Sequence, residues 1–380
     1  MTHADDITPA ELAQILTRGD PLQVLDVRAP QRLASGIIET PETARFVNLP
    51  NSKLFALQDP AEGGLERAMP VITVCGHGNS SKQAAGWLGG KGYQARSLRG
   101  GMAAWMQLLV PHTLLPPVGF SKLVQFDRLG KGALAYLLIA DGEALIVDPP
   151  RDASTILAAV ADAGARLVGV ADTHVHADYI SGAPALAERH GVPYYLHAAD
   201  AVFPYDGTPG KIGFEKIEEG QEIRVGQGSV RVLHTPGHTE GSVTFVAGNA
   251  ALTGDFLFVA SIGRPDLAGK TDEWAQWLWT SLVRVRAEWP ADLMVLPAHY
   301  TQPEERRTDG VIGVPFGDLP ARNAVHRITD RAEFLAWIKA HEHEAPAAYR
   351  EIKAINVRLK TVTDLEAEEL EAGKSECAVS

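Results

Sequence analysis

The feature that constrains the fold most is a set of histidine and aspartate residues that follow separate apolar segments in the second half of the chain. The set comprises His174, His176 and Asp178 in one loop, then His238, then Asp255, and finally His299. Because strand ends on one side of a sheet lie at a common edge, we expect these side chains to converge there. Imidazole and carboxylate groups are ligands of zinc and iron, so the pattern predicts a metal site.

These residues resemble the metallo-β-lactamase superfamily, whose fold is an αββα sandwich, over residues 120–350. The superfamily motif is His-x-His-x-Asp-His, followed by a separate His, Asp and His, and Tyr179 stands here in place of the fourth histidine. In two-metal members that histidine and the aspartate before it bind a second ion, whereas a neutral phenol is a poor ligand. The resemblance therefore implies a single metal ion.

Among one-metal members, the chain is similar to the persulfide dioxygenase group (sulfur dioxygenases), which is related to glyoxalase II. The matching segments are residues 173–178, 235–245, 253–255, 263–266 and 356–359. The resemblance implies one iron(II) ion per chain, held by His174, His238 and Asp255, with zinc as the alternative metal. Two imidazoles and one carboxylate leave positions open for substrate and O₂.

The same resemblance assigns roles to residues around the metal. It implies that His176, Asp178 and His299 orient the ligands or the bound substrate. Arg264 matches a family arginine that contacts the carboxylate of glutathione, a contact for which a planar guanidinium is suited. Asp148 matches a superfamily aspartate that supports the ligand loops, and we interpret it as structural.

A second chemical feature lies in the first third of the chain. Cys75 follows the apolar segment of residues 71–74 and precedes a glycine-containing loop that leads into a helix. Converging backbone N–H groups and the helix N-terminus would both favour a thiolate there. We interpret Cys75 as a nucleophile, and the alternative is a buried structural cysteine.

Residues 6–110 resemble the rhodanese family of sulfurtransferases. The resemblance depends on residues 25–28, on the Cys-x-x-Gly-x-x-Ser loop that begins at Cys75, and on residues 98–105. It implies that Cys75 carries a sulfane sulfur as a persulfide. Family loops often have an arginine where Gly76 or Ser80 stands, so we expect a small dianion such as thiosulfate to bind less well here.

The length of 380 residues predicts two or three domains. We expect an α/β protein with an N-terminal rhodanese-like parallel-sheet domain at residues 1–110 and a proline-rich linker at residues 111–119. A C-terminal metallo-β-lactamase αββα sandwich follows at residues 120–350, and a C-terminal extension and tail occupy residues 351–380.

The net charge and the lengths of the apolar segments exclude two classes of binding partner, nucleic acids and membranes. The chain has 35 Lys and Arg against 47 Asp and Glu, a net charge of −12, so we expect no nucleic-acid partner. Apolar segments are too short for a membrane span, and the acidic start does not resemble a signal peptide. With only two cysteines, these features predict a cytoplasmic location. The oligomeric state stays open, and a homodimer is compatible with the sequence.

The second cysteine, Cys377, lies near the C-terminus beyond Gly373. We expect the last residues to be mobile, as chain ends commonly are. In that setting Cys377 is interpreted as an exposed thiol without a special role. The alternative is a mobile relay for sulfur, since it is the only thiol besides Cys75.

Together, these features predict a persulfide dioxygenase joined to a sulfurtransferase. The iron domain would oxidise a small persulfide, in the first place glutathione persulfide, with O₂ and water to sulfite and the thiol. Cys75 would transfer sulfane sulfur between persulfide, sulfite and thiosulfate by covalent catalysis. The alternatives are a zinc thioester hydrolase resembling glyoxalase II and a non-catalytic persulfide carrier or sensor. The sequence leaves the physiological thiol and the direction of sulfur flow open.

Overall fold

The computed structural model describes residues 6–379, which form two compact units. The first unit comprises the chain up to Val110 together with Arg128–Lys131 and Ala372–Lys374, and the second comprises the remainder. Residues 1–5, on which the expectation about targeting depends, lie outside the described residues. Within residues 6–379, no helix has the length and apolar character needed to cross a membrane.

The first unit alternates short strands with helices. Its strands are β1 (Asp6–Ile7), β2 (Gln23–Asp26), β3 (Arg45–Asn48), β4 (Val71–Val74) and β5 (Ala95–Leu98). Its helices are α1 (Pro9–Arg18), α2 (Asn51–Leu54), α3 (Asn79–Gly90) and α4 (Gly101–Gln107). The strands form one parallel sheet in the order β1-β5-β4-β2-β3. The predicted small parallel α/β sheet is therefore confirmed.

Local sequence signals explain where these elements begin. Helix α1 starts at a capping box, in which the Thr8 side chain accepts from the Glu11 N–H and Glu11 accepts from the Thr8 N–H. All four residues of β4, Val71–Val74, are buried, as expected of an apolar strand inside a parallel sheet. The strand thus delivers Cys75 to the carboxyl edge of the sheet.

Strands and helices continue through the rest of the chain. The strands are β6 (Leu109–Leu114), β7 (Lys122–Arg128), β8 (Ala133–Ala140), β9 (Glu143–Val147), β10 (Arg166–Ala171), β11 (Tyr194–His197), β12 (Glu215–Ile217), β13 (Glu222–Val225), β14 (Gly228–His234), β15 (Val243–Ala247), β16 (Ala250–Gly254), β17 (Met294–Pro297) and β18 (Val314–Pro315). The helices are α5 (Ser154–Asp162), α6 (Ala183–His190), α7 (Thr271–Glu288), α8 (Leu319–Arg322), α9 (Arg331–Ala340), α10 (Ala347–Asn356) and α11 (Asp364–Leu370).

These strands form two sheets. One has the order β12-β11-β10-β9-β8-β7-β6 and the other the order β13-β14-β15-β16-β17-β18. Buried apolar side chains of both sheets share one core, such as Leu138 and Val147 from the first and Val232 and Phe245 from the second. The predicted two-sheet sandwich is confirmed, and its strands β8 and β9 pair antiparallel as a hairpin.

The C-terminal residues are docked on the second unit. The N–H of Arg264 donates to the carbonyl of Cys377, and the N–H of Val379 donates to the carbonyl of Ile262, each over 2.9 Å. The Cys377 side chain is 0% exposed. The expectations of a mobile tail and of an exposed Cys377 are therefore wrong. The backbone groups that hold this segment belong to residues 262 and 264, far earlier in the chain. An expectation based only on the position of a residue near the chain end does not include such contacts.

Candidate functional site

Four strand ends carry the predicted metal-site residues to one edge of the sandwich. His174 follows β10, His238 follows β14, Asp255 directly follows β16 and His299 follows β17. Strands β14 and β16 are both antiparallel to β15, and β17 is parallel to β16. The carboxyl ends of β14, β16 and β17 therefore lie on the same side, as the sequence pattern predicts.

His174, His238 and Asp255 converge on one point. Nε2 of His174 and Nε2 of His238 lie 3.6 and 3.5 Å from Oδ2 of Asp255. These three atoms are buried and none of them makes a hydrogen bond, although buried polar atoms nearly always do. Two ligands at about 2.1 Å from a tetrahedral ion lie roughly 3.4 Å apart. The three groups therefore fit a single bound metal ion.

Both imidazoles are fixed by hydrogen bonds at their far nitrogen atoms. Nδ1 of His238 donates to the carbonyl of Arg264 over 2.9 Å. Nδ1 of His174 lies 3.0 Å from Oγ1 of Thr173, whose hydroxyl donates to Asp148. With the protons on Nδ1, the Nε2 lone pairs face Asp255, which is the orientation that metal ligation needs.

Burial sets the charge of this triad. It lowers the pKa of His174 well below its usual value, and it lowers the pKa of His238 to about 4, so both rings are neutral at pH 7. Burial alone would raise the pKa of Asp255, but the neighbouring His299 and His174 lower it well below its usual value. Two neutral imidazoles and one carboxylate are thus presented together.

His299 lies between two carboxylates rather than in the triad. Its Nδ1 is 2.6 Å from Oδ1 of Asp255, and its Nε2 is 3.0 Å from Oδ2 of Asp178. Burial opposes its charge, but Asp178 and Asp255 raise the pKa of His299 to about 10. The contact with Asp255 leaves Oδ2 of that carboxylate directed at the triad.

The Tyr179 hydroxyl makes its hydrogen bonds outside the triad of His174, His238 and Asp255. Its hydroxyl donates to the carbonyl of Asp148 over 3.2 Å and lies 2.9 Å from Nε2 of His176. That nitrogen is also 3.2 Å from Oδ1 of Asp148. Burial raises the pKa of the Tyr179 phenol well above its usual value, so the group is neutral. His176 and Tyr179 thus form a hydrogen-bonded pair beside Asp148.

Asp148 also supports the loop of His174. Its two carboxylate oxygens accept from the Thr173 N–H over 2.7 Å and from the Thr173 hydroxyl over 2.9 Å. The backbone of Asp148 itself has a left-handed φ of 53°. These contacts match the structural role that the sequence assigns to this residue.

Arg264 is buried and paired with Asp266. Its Nε and Nη2 donate to the two oxygens of that carboxylate over 2.5 and 2.7 Å, and the residue is 1% exposed. Further contacts of its guanidinium reach the ring and the carbonyl of His343. The glutathione contact assigned to Arg264 stays a prediction, and it requires that these partners be exchanged.

Three buried polar residues support the ligand loops although the sequence assigned no role to them. Asp200 accepts from the Val175 N–H over 2.7 Å and from the Thr239 hydroxyl over 2.9 Å, which joins the loops of the two histidine ligands. Lys353 donates to the Val175 carbonyl over 2.9 Å, and Asn356 donates to the carbonyls that flank the Asp178 position. Two features of the sequence could have indicated them: Asp200 comes just after β11, and Asn356 begins the matching segment at residues 356–359.

Cys75 lies in a loop built to stabilise a thiolate. The Gly78 N–H donates to its Sγ over 3.1 Å, and Oγ of Ser81 lies 3.2 Å from the sulfur. The residue is only 4% exposed. Burial raises the pKa of the Cys75 thiol, but hydrogen bonds from Ser80, Ser81 and Gly78 outweigh it and lower the pKa below its usual value. These contacts favour the thiolate form of Cys75, and its role as a nucleophile stays a prediction.

The lowered pKa predicts the pH dependence of alkylation. In a Cys377→Ser background, Cys75 should react with iodoacetamide with a midpoint below the usual pKa of a cysteine thiol, because only the thiolate reacts. Ser81→Ala removes a hydrogen bond to the sulfur and should move the midpoint to higher pH, whereas Ser52→Ala on the exposed face of α2 should not. Equal midpoints for Ser81→Ala and its parent would refute this assignment.

A glycine after β5 holds the Cys75 loop in place. Gly101 has a φ of 60°, and a Cβ built there would lie 2.3 Å from the carbonyl oxygen of Cys75. Gly101→Ala should therefore lower the free energy of unfolding by about 2–4 kcal/mol. Gly86→Ala in α3, where a Cβ meets nothing within 4 Å, should be neutral or stabilising by about 1 kcal/mol. Denaturant unfolding of both variants measures the difference, and similar midpoints would contradict the prediction.

Comparison with known proteins identifies both units. The family model of the Metallo-beta-lactamase superfamily matches residues 129–299, and that of the Rhodanese-like domain matches residues 8–108. The Probable metallo-hydrolase YqgX of Bacillus subtilis is 33% identical over 181 residues, which are 44% of this chain and 84% of that protein. This chain belongs to the metallo-beta-lactamase superfamily. It carries a rhodanese-like domain before the metallo-beta-lactamase domain, and both predicted resemblances are confirmed.

Two further proteins resemble the metallo-beta-lactamase domain. Hydroxyacylglutathione hydrolase of Cereibacter sphaeroides is 34% identical over 172 residues, which are 44% of this chain and 62% of that enzyme. The crystal structure of ETHE1 from Myxococcus xanthus is similar with a TM-score of 0.50 and 26% identity, over 66% of this chain and 99% of that one. The His/Asp site therefore lies in a fold that binds metal, and the reaction is a separate question.

Proposed function

We propose that the metallo-beta-lactamase domain is a non-haem iron(II) persulfide dioxygenase and that the rhodanese-like domain carries sulfane sulfur on Cys75. The observation that carries the proposal is the triad of His174, His238 and Asp255. Two imidazoles and one carboxylate are the donor set of non-haem iron(II) oxygenases, whose remaining positions stay open. Tyr179, at the position of a further histidine ligand in two-metal relatives, directs its hydroxyl at Asp148 and His176 instead.

The reaction consumes one O₂ for each persulfide. A persulfide R–S–SH, O₂ and water give the thiol R–SH, sulfite and two protons. The outer sulfur is oxidised, O₂ is reduced, and the S–S bond breaks with its electron pair going to the thiol. Iron(II), when bound, would supply Lewis acidity and would mediate the transfer of electrons from the outer sulfur to O₂.

The residues of the chain hold the ligands for this reaction. Thr173, anchored on Asp148, fixes the ring of His174, and the Arg264 carbonyl fixes the ring of His238. Such outer hydrogen bonds set the orientation and basicity of metal ligands. His174, His238 and Asp255 are all buried, so bulk water is excluded from the triad. This exclusion protects a reactive persulfide from side reactions.

A cavity lies next to the ligand loops. It has a volume of about 280 Å³ and is lined among others by Val175 and Thr239, which are neighbours of the two histidine ligands. Lys270, Lys353 and Trp274 also line it, and Lys270 lies 5.8 Å from the Trp274 ring. Asp200 and Glu240 line it as well, so its charged side chains are two of each sign. The choice of glutathione persulfide as the substrate therefore rests on the similarity of this domain to hydroxyacylglutathione hydrolase and to ETHE1.

Thioester hydrolysis is the second candidate function. It is favoured by the similarity to hydroxyacylglutathione hydrolase, which matches the same domain. In that case a zinc-activated water would attack an acyl group instead of O₂ attacking sulfur. The triad alone accommodates either metal, so the two functions are separated by experiment.

Metal analysis and two assays test the proposal on the full-length protein. We expect iron in the purified chain, O₂ uptake when glutathione persulfide is added, and sulfite as product. S-Lactoylglutathione should not be hydrolysed at a comparable rate. A zinc-containing protein that hydrolyses this thioester and consumes no O₂ would overturn the proposal in favour of the hydrolase. Turnover in neither assay would favour a persulfide carrier.

A further inference from the structure

Two buried hydroxyl groups of the parallel sheet contact Ser81, the residue beside the sulfur of Cys75. Thr73 of β4 and Ser97 of β5 are register partners in neighbouring strands, and they are 0% and 1% exposed. The Thr73 hydroxyl donates to the carbonyl of Ser81 over 2.8 Å, which ties the first turn of α3 to the sheet. The backbone of Ser81 is therefore held, and rotation of its hydroxyl is the freedom that remains beside the sulfur.

Three side-chain atoms form a chain that ends at this sulfur. Oγ of Ser97 lies 2.9 Å from Oγ of Ser81, which in turn lies 3.2 Å from Sγ of Cys75. All three residues are buried. Among the side chains and carbonyls of residues 6–379, the Ser97 hydroxyl bonds to Ser81 alone. Because each hydroxyl carries a single proton, the directions of the two hydrogen bonds depend on each other.

The two protonation states of Cys75 place different demands on the chain. A thiolate only accepts, so Ser81 donates to the sulfur, Ser97 donates to Ser81, and both hydroxyl protons are used. A thiol that donates to Ser81 reverses both bonds and leaves the buried Ser97 proton without an acceptor, which costs free energy. A thiolate is also the stronger acceptor, and consecutive bonds in one direction reinforce each other. The chain therefore favours the thiolate.

We propose that Ser97 is a positioning residue that directs the Ser81 hydroxyl proton at the sulfur of Cys75. The inference rests on the proposed role of Cys75 as the carrier of sulfane sulfur. When the sulfur of sulfite attacks the outer sulfur of the Cys75 persulfide, a new S–S bond forms thiosulfate. The old S–S bond breaks, and its electron pair returns to Sγ of Cys75. The Ser81 proton stabilises that charge, and Ser97 keeps the proton in place.

Charged side chains near the loop bind to other groups. The loop of residues 75–81 contains no lysine or arginine, and His77, its titratable residue besides the cysteine, is exposed. Lys82 of α3 lies 2.8 Å from the carboxylate of Asp6, and Arg96 of β5 donates to the Asp6 carbonyl over 3.1 Å. Hydroxyl and backbone donors therefore supply the direct hydrogen bonds to the sulfur. The direction of the Ser81 proton matters more here than it would beside a fixed cation.

The pH dependence of alkylation tests this role in the full-length protein with the Cys377→Ser background. Ser97→Ala should move the midpoint of the reaction of Cys75 with iodoacetamide upward by about 0.4–1 pH unit, the equivalent of one hydrogen bond. Ser52→Ala, on the exposed face of α2, removes a hydroxyl far from the chain in sequence and should leave the midpoint unchanged. An unchanged midpoint in Ser97→Ala would overturn the proposal.

A double variant separates this role from a general loosening of the domain. If Ser97 acts through Ser81, Ser97→Ala should add no further shift to Ser81→Ala, because the donor to the sulfur is already absent. Additive shifts of the two substitutions would contradict an action through Ser81 and would overturn the proposal.

The same variants keep this proposal distinct from the proposed function. Alkylation requires no sulfane sulfur, so unchanged midpoints would refute the role of Ser97 while sulfur transfer by Cys75 stands. The expected shifts in a protein that transfers no sulfur would refute the carrier function and leave the orientation of Ser81 by Ser97 intact.

Discussion

Replacing His238 by alanine is expected to reduce persulfide-dependent O₂ uptake by more than about 100-fold. Changes to outer hydrogen-bond partners of metal ligands already cost 10–100-fold, and His238 is assigned as a ligand itself. The iron content of the purified protein should fall in parallel, because only His174 and Asp255 would remain of the triad. Oxygen-electrode rates and metal analysis of the same preparation measure both effects.

His190 provides the matched control for this variant. It lies at the exposed end of α6, so His190→Ala should retain the iron content and the O₂ uptake of the parent. Sulfur transfer by the rhodanese-like domain should be unchanged in both variants. Parental O₂ uptake in His238→Ala would show that the triad is not the reaction site and would favour a carrier without turnover.

Cys75→Ser is expected to lose sulfur transfer and to retain persulfide-dependent O₂ uptake. A hydroxyl cannot carry sulfane sulfur, so sulfur transfer should fall by at least about 10³-fold, as for other enzymes that lose a covalent nucleophile. Oxidation of added glutathione persulfide by the metallo-beta-lactamase domain should continue at the parental rate. Transfer of sulfur from a labelled donor to sulfite or a thiol, measured beside O₂ uptake, distinguishes the two activities.

The other cysteine serves as the control for Cys75. Cys377→Ser should retain sulfur transfer, because the hydrogen bonds to the sulfur of Cys75 come from its own loop and from α3. If Cys75→Ser transferred sulfur normally and Cys377→Ser did not, the carrier would be the C-terminal cysteine. That outcome would revive the relay role considered for Cys377 and would contradict the assignment to Cys75.

Local patterns in the sequence predicted the parallel sheet and the strand-end positions of the site residues, whereas the sandwich fold came from the resemblance to the metallo-β-lactamase superfamily. Alternating apolar strands and helices, with Cys75 directly after β4, are local patterns that determine a parallel sheet and its reactive edge. His174, His238 and Asp255 are likewise each found by the strand that precedes them. Sheet geometry predicts that strand-end residues converge, but the choice of these three from the six candidates came from the resemblance to the persulfide dioxygenase group.

Contacts between distant segments could not be predicted in this way. The burial of Cys377 depends on backbone hydrogen bonds with residues 262–264, and no periodic pattern at the C-terminus signals such pairing. The ion pair of Arg264 with Asp266 could not be predicted either, because it depends on which carboxylate lies nearest to the guanidinium after folding. Asp200 and Lys353 were missed because a buried polar residue is revealed only by the groups that surround it.

The proposed reaction requires the metallo-beta-lactamase domain to use iron and O₂ to oxidise a persulfide. The most direct test reconstitutes the metal-free protein separately with iron(II) and with zinc, and then measures O₂ and sulfite after addition of glutathione persulfide. Iron-reconstituted protein should consume one O₂ for each sulfite formed, and zinc-reconstituted protein should consume none. Absence of O₂ uptake with iron, together with thioester hydrolysis by the zinc form, would contradict the account.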